Sequence, residues 1–463
     1  MTVYKTLVHR QSSTWSERSL WAGPCDDGRE PAATTPAARQ EGDDVFLERL
    51  QRTAFEYFRR NTNPVNGLVA DTTRFGAPSS IAVVGFALSA YPVGVERAWM
   101  KRADAVTRSL AALRFFESSD QSGSPGATGY HGFYYHFLDM RSGRRMWHSE
   151  ISLIDTTLLI AGMLTAASYF DGATQDECEL RRLAETLYRR VDWRWAQRER
   201  GAVTHGWKPE CGFLNYGWEG YNEALLLYVL GLGSPTHPLT EESYRAWTVT
   251  YQWENLYGYD LLYAGPLFIH QFSHAWIDFR GIRDDFMREK DCDYFENSRR
   301  ATYVQREYAT RNPRGFAGYA NDRWGISAGD GSSMPPRLVA GRRQSFYGYA
   351  ARGVPYGPDD GTISGPSTLS SLPFAPEIVL PALRSMAREG DSGDAWIHAS
   401  GFNETVNEGG PDGWISAGAF GLDQGMIVLM IENYRSGLPW RLGRTNPWIR
   451  AGLRRAHFRG GWL

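Results

Sequence analysis

The chain is poor in cysteine. Cys25, Cys178, Cys211 and Cys292 are the only four in 463 residues, and no two lie at CxxC or zinc-ligand spacing. A disulfide framework and a structural zinc site are therefore excluded, and free thiols are expected. Long apolar runs are missing too. The most apolar stretch, IAVVGFALSAYPVGV (81–95), is too short to span a bilayer and contains Pro92. The opening MTVYKTLVHRQSSTWSERSL holds no run of signal-peptide length. As written, the sequence reads as a cytoplasmic protein without membrane insertion, or as a periplasmic one if its start is wrongly assigned. Charge of one sign is not in excess: 50 Lys and Arg face 52 Asp and Glu, a formal net charge of −2. Nothing points to nucleic acid. There is no HExxH and no phosphate loop, so neither metal nor cofactor is expected.

Aromatic residues are what the chain has in plenty: 17 Trp, 24 Tyr and 22 Phe, 14% of the total. A core can absorb them. Indole faces also stack on the CH face of a pyranose ring, so a sugar-binding cleft is the second reading.

Residues 1–42 are polar and rich in Pro, Ala, Thr and Arg, and are expected to form a disordered N-terminal tail. From Asp43 or Asp44, which suit a helix N-cap, Phe46, Leu50, Ala54 and Tyr57 recur at helical spacing. Eleven further helical segments are predicted near 80–91, 96–117, 149–170, 176–190, 219–231, 240–253, 265–276, 282–309, 373–388, 421–435 and 443–456. Long loops rich in Gly, Pro and aromatics separate them, with short hairpins foreseen in 122–147 and 201–216. No repeat or linker divides 43–463. Twelve helices in one domain suggest an all-α (α/α)6 barrel, or toroid, whose loops form a cleft at one end. A multi-lobed helical protein is the alternative.

Carboxylates recur beside aromatics where loops meet helices. In GWEGYNEALLL (217–227), a helix would set Glu219 and Glu223 on one face beside Trp218, Tyr221 and Asn222. WHSEISLIDTTLL (147–159) offers Trp147, Glu150 and Asp155. FSHAWIDFRGIRDD (272–285) offers His274, Trp276, Asp278 and Arg280. PYGPDDGTISGP (355–366) offers Asp359 and Asp360, GFNETVN (401–407) Asn403 and Glu404, and GLDQGMIVLMIENYRSG (421–437) Asp423 and Glu432. Trp414 stands nearby. Glycoside hydrolysis needs one protonated and one ionised carboxyl, and neither metal nor cofactor. Each position also has a structural reading. Ser149 would cap a helix with Glu150 in its first turn, and Asp155 would hydrogen-bond a neighbouring loop. Glu223 would be an anchor behind Glu219, and His274 a satisfied core histidine. Asp359 and Asp360 would be ordinary turn residues, and Asp423 a helix-start acid.

Five stretches in order decide between these readings: HSEISLIDTTLLIAGML, GWEGYNEALLLYVLGLGSPTHPL, FIHQFSHAWIDFRGIRDD, PYGPDDGTISGPSTLSSLPFAPE and GLDQGMIVLMIENYRSGLPW. Over roughly residues 45–450 the chain resembles the glucoamylase-like domain family. That family includes bacterial β-1,2-glucanases (glycoside hydrolase family 144) and is related to a domain of cyclic β-1,2-glucan synthases. The resemblance implies an (α/α)6 barrel and inverting hydrolysis of β-1,2-glucan or a related β-glucan by a monomer. It implies Glu219 as general acid, Asp423 as the basic partner, and Asp155 and Glu150 as cleft acids or alternative base. Trp147, Trp218, Tyr221, Glu223, His274, Trp276, Asp360, Asn403 and Trp414, which lie within or beside the acid-bearing stretches, are expected substrate ligands. The chain departs from the family at Met426, after DQG, where Pro is common. A glucanotransferase related to cyclic glucan synthesis and a catalytically silent glucan-binding module are the alternatives.

Overall fold

The computed structural model describes residues 41–198, 201–388, 393–406 and 413–463. The expected tail thus lies almost wholly outside the described residues. Among those described there are fifteen α-helices. They are α1 (Asp43–Arg60), α2 (Ile81–Glu96), α3 (Arg102–Ser118), α4 (Leu153–Tyr169), α5 (Gln175–Arg190), α6 (Leu225–Gly233), α7 (Glu241–Thr248), α8 (Asp285–Glu289), α9 (Tyr294–Arg311), α10 (Gly365–Ser370), α11 (Pro376–Arg388), α12 (Ala395–His398), α13 (Gly421–Arg435), α14 (Leu438–Thr445) and α15 (Pro447–Arg455).

Two kinds of helix are present. The first kind, α1, α5 and α7, buries one face and sends charge outward. The second kind, α2, α4, α6, α10 and α13, is buried almost all round. These buried helices pack on one another: α2 on α4 and α13, α4 on α6, and α10 on α13. One hydrophobic core extends along the chain from Phe46 to Phe458. The α2–α4 contact is backbone to backbone. A Cβ on Gly85 would stand 2.2 Å from Leu158 O, and one on Gly162 2.1 Å from Gly85 O.

Strands are short, two to four residues each, and every pairing is antiparallel. The largest sheet has five, ordered Gly129–Tyr130, Phe133–Tyr135, Ile151–Ser152, Gly206–Lys208 and Gly212–Phe213. The all-α expectation is therefore corrected to a helix-rich fold with small sheets in the loops, including the 122–147 and 201–216 loops where hairpins were foreseen.

Boundaries moved where caps outweighed periodicity. The segment 219–231 is helical only from Leu225, and Gly217–Trp218 is a strand paired with Val203–Thr204. Glu219 and Glu223 therefore do not share a helix face. Ser152, not Ser149, caps α4, its Oγ accepting from Asp155 N at 3.2 Å. The segment 265–276 is two 3₁₀ turns, Leu267–His270 and Phe272–Ala275. The segment 282–309 divides into α8 and α9 because Asp284 and Asp293 each cap a helix start. Cys178, Cys211 and Cys292 are free thiols. No helix among the described residues is long and apolar enough to cross a membrane.

Candidate active site

Acids collect where the buried helices begin. Asp155 lies in the first turn of α4 and Asp423 in the first turn of α13. Glu223 stands two residues before α6, its carbonyl accepting from Ser273 Oγ at 3.2 Å. Asp71 is tied to the start of α13, since Gly421 N donates to its carbonyl at 2.8 Å. The sheet adds two more groups. His136 follows strand Phe133–Tyr135, and Glu150 precedes strand Ile151–Ser152. Asp330 completes the set, held by Arg74 and by Ser416 Oγ at 2.8 Å. Helix N-termini carry partial positive charge, which favours carboxylates in this position.

These groups feel one another. Burial pushes the Glu223 carboxyl up to about 7, and the negative charge of Asp155 adds to the rise. Burial likewise pushes Asp423 to about 7; the Ser400 hydroxyl opposes it, while Asp71 and Asp330 reinforce it. Asp71 is raised to about 6, chiefly by burial. Burial works to raise Glu150 as well, but the hydrogen bond and charge of His136 outweigh it and hold Glu150 at about 2. One site thus contains carboxyls poised to stay protonated near neutrality and one held ionised, the division that acid–base chemistry needs. Asp423 Oδ2 and Trp218 Nε1 are buried polar atoms without a hydrogen-bond partner in the protein.

His136, Glu150 and Asp155 bring ligand-type atoms within 4.8 Å of one another. Each imidazole nitrogen faces a carboxylate oxygen, Nδ1 that of Glu150 and Nε2 that of Asp155. A separate cavity of about 200 Å³ among α7, α8 and α15 holds none of these acids.

The predicted residues divide. Asp423, Asp155, Glu150 and Glu223 are brought together. Glu219, expected as the general acid, is exposed, while burial acts on Glu223. Trp218 is buried, stacked at 4.0 Å on His205, and Tyr221 is buried among Tyr251, His270 and Tyr294. Trp147 is 55% exposed next to Phe137, and Trp414 is half-buried.

Four expected substrate ligands are core residues, since each is at most 1% exposed. His274 Nε2 meets Ser298 Oγ at 3.0 Å, and burial pushes its imidazole down to about 3. Trp276 Nε1 donates to Ser89 Oγ at 2.9 Å. Asp360 forms a two-pronged ion pair with buried Arg352, at 2.6 and 2.9 Å. Asn403 Nδ2 donates to Asp360 O at 2.8 Å. Apart from His274 Nδ1, which is buried without a hydrogen-bond partner, the side-chain contacts named here lie inside the protein, which is the structural reading.

Sequence reading missed Asp71, Arg74, His136, Asp330 and Tyr349. Tyr349 lies within electrostatic reach of Asp423, Asp71, Asp155 and Asp330. No periodicity marks these loop residues. His136 falls in the 122–147 loop, where nothing in the sequence singles it out.

The Glycoamylase family model ("Putative glucoamylase") matches residues 215–447, half of the chain. The chain belongs to the glucoamylase-like family. Among solved structures, a "putative glucoamylase" from Bacteroides uniformis ATCC 8492 is 29% identical with a TM-score of 0.80, covering 92% of this chain and 100% of that one. An endo-β-1,2-glucanase from Chitinophaga pinensis, in complex with sophorotriose and glucose, is 27% identical with a TM-score of 0.77. That match covers 91% of this chain and 100% of that one. A curated relative, the exo β-1,2-glucooligosaccharide sophorohydrolase (non-reducing end) of Parabacteroides distasonis, is 26% identical over 451 residues, or 89% of this chain. The chain spans 58% of that relative's length. The Glycoamylase match begins at Asn215 and ends at Pro447, so it contains Glu219, Glu223, Asp330 and Asp423. Asp71, His136, Glu150 and Asp155 precede it and join the site only through the fold.

Proposed function

We propose that this glucoamylase-like chain is a glycoside hydrolase that cleaves β-1,2-glucan with inversion. One observation carries the reading. Glu223 and Asp423 are two desolvated carboxyls pushed up to about 7, both linked through charge to the Asp71–Asp155 cluster at the heads of buried helices. The family and the Chitinophaga pinensis endo-β-1,2-glucanase supply the substrate class.

Protonated Glu223 gives its proton to the glycosidic oxygen as the bond to the anomeric carbon breaks. Asp423, ionised in the working form, takes a proton from the water that attacks that carbon from the opposite face. A base with pKa near the working pH is efficient. Asp155 and Glu150 accept sugar hydroxyls, and Trp147 and Trp414 offer ring faces along the glucan. In this proposal the buried helices are inner members of an (α/α)6 barrel, and residues 43–463 act as one catalytic domain and a monomer.

The test is incubation with linear β-1,2-glucan, with the product anomers followed by NMR. New reducing ends should appear first as the α-anomer. Initial β-anomer would overturn inversion. Chain lengthening or cyclisation without new reducing ends would make the protein a transferase. Binding of glucan without turnover would make it the silent module.

A further inference from the structure

His136 is locked into the site by its main chain before its ring does anything. Strand Phe133–Tyr135 pairs with Ile151–Ser152, and the next step of the ladder joins His136 N to Glu150 O at 2.9 Å. His136 O in turn accepts from Ile81 N, the first residue of α2, at 3.2 Å. The ring stacks on Phe137 with centroids 3.9 Å apart. Its Nδ1 lies 3.1 Å from Glu150 Oε1 and its Nε2 3.5 Å from Asp155 Oδ2.

An ionised carboxylate can only accept hydrogen bonds, and a neutral imidazole has a single N–H to give. A ring with a carboxylate at each nitrogen is matched only as the imidazolium. We propose that His136 is a positioning residue for the hydrolysis put forward above, its imidazolium clamping Glu150 and Asp155 as ionised, fixed acceptors for the hydroxyls of the glucosyl unit being cut. The proposal rests on that reading of the site.

The surroundings agree with the clamp. Burial works against the charged ring, but Asp155, Glu150 and Asp71 outweigh it and hold the proton up to about 9. Each facing element contributes: Asp71 from the loop after α1, Glu150 from the sheet and Asp155 from α4. Behind them stand Arg74 at Asp71, Lys208 and His205 at Glu150, and Glu223 at Asp155. Asp423 and Tyr349 lie beyond Asp71. The effect also reaches the general acid. The charge of Asp155, which faces His136 Nε2, helps keep the proton on Glu223. A merely structural histidine would tie the sheet to α4 and leave the reaction's pH dependence alone.

The experiment compares wild type, His136→Gln and His136→Lys, with circular dichroism confirming the fold. Histidine side-chain NMR is recorded from pH 5 to 10, with His136→Gln assigning the signal. In wild type the His136 ring should stay doubly protonated through pH 8. Titration near the ordinary value of about 6.5 would overturn the clamp. On β-1,2-glucan, His136→Gln should lose at least tenfold in kcat/KM at pH 5–6. Its acid limb should move up by about 1–3 units, because carboxylates deprived of an adjacent cation release their protons at higher pH. His136→Lys should return the limb toward wild type. An unmoved limb, or one that Lys leaves displaced, would reject the proposal. Dialysis against EDTA should change neither activity nor the NMR signals; loss of both would place a cation where we place the proton. If wild type cleaves no β-1,2-glucan, the functional reading fails, and the NMR titration alone still decides whether the clamp exists.

Discussion

Glu223 differs from Glu219 in one respect that matters for the proposed chemistry: Glu219 is exposed, whereas Glu223 is partly buried and its carboxyl is pushed up to about 7. Desolvation disfavours the charged form, so on the proposed mechanism Glu223 keeps its proton toward neutrality and delivers it. Glu223→Gln should keep the fold and lose about two to four orders of magnitude in kcat, the usual scale of general acid catalysis. Glu219→Gln should stay within about tenfold of wild type. The same kinetics on both variants separates them, and the reverse order would return the acid role to Glu219. The raised values also make a stability statement. Glu223 and Asp423 hold protons in the folded chain at pH values where the unfolded chain has released them. Their contribution is therefore favourable at the acid end and lost as pH rises from about 4.5, the ordinary carboxyl range, to about 7. Glu223→Gln and Asp423→Asn, which cannot ionise, should each be more stable than wild type at pH 8, by about 2–4 kcal/mol. The gain should vanish by pH 4–5. Thermal melts across pH 4–8 measure it, and a gain independent of pH would mean that the carboxyls titrate normally.

Within elements, the decisive contacts are between backbones. α2 and α4 approach so closely that Gly85 and Gly162 leave no room for a methyl group, the obstacle in each case being main chain. Alanine in a helix interior usually stabilises by up to about 1 kcal/mol over glycine. Overpacking against an immovable carbonyl costs about 1–3 kcal/mol, so the clash wins. Gly162→Ala should lower the melting temperature and, because α4 carries Asp155 in its first turn, lower kcat as well. A variant with unchanged melting would show that the helices can part. At this scale the sequence was legible in part. Strong periodicity located α1, α5 and α11 closely. Where all faces are buried, periodicity carries no information, and caps decide: Ser152 starts α4 three residues after the serine that looked suitable. Asp293 starts α9 where a continuous helix was expected.

In the whole molecule the aromatic surplus divides by burial. Trp193, Trp247 and Trp276 are fully buried, the last a residue expected in the cleft. Trp195 is partly buried against His131, Tyr130 and Phe213. Alanine at a buried tryptophan should cost about 3–5 kcal/mol. Trp147→Ala should leave melting unchanged and raise KM for β-1,2-glucan more than it lowers kcat, the pattern of lost uniform binding. Paired melting and kinetics test both halves, and unaltered KM would remove Trp147 from the binding surface. The sequence by itself determined the helix-rich class and the family resemblance, and it named Glu150, Asp155, Glu219, Glu223 and Asp423 as candidate acids without ranking their burial. Motif, composition and capping chemistry are local properties, and a linear string contains them. Only the tertiary structure decided which acid is exposed and which is partly buried. It also placed His274, Trp276, Asp360 and Asn403 in the core, and set His136 and Asp71 within charge reach of Asp155. Desolvation and charge coupling depend on groups brought together from 71 to 423 along the chain, and no window of sequence holds that distance.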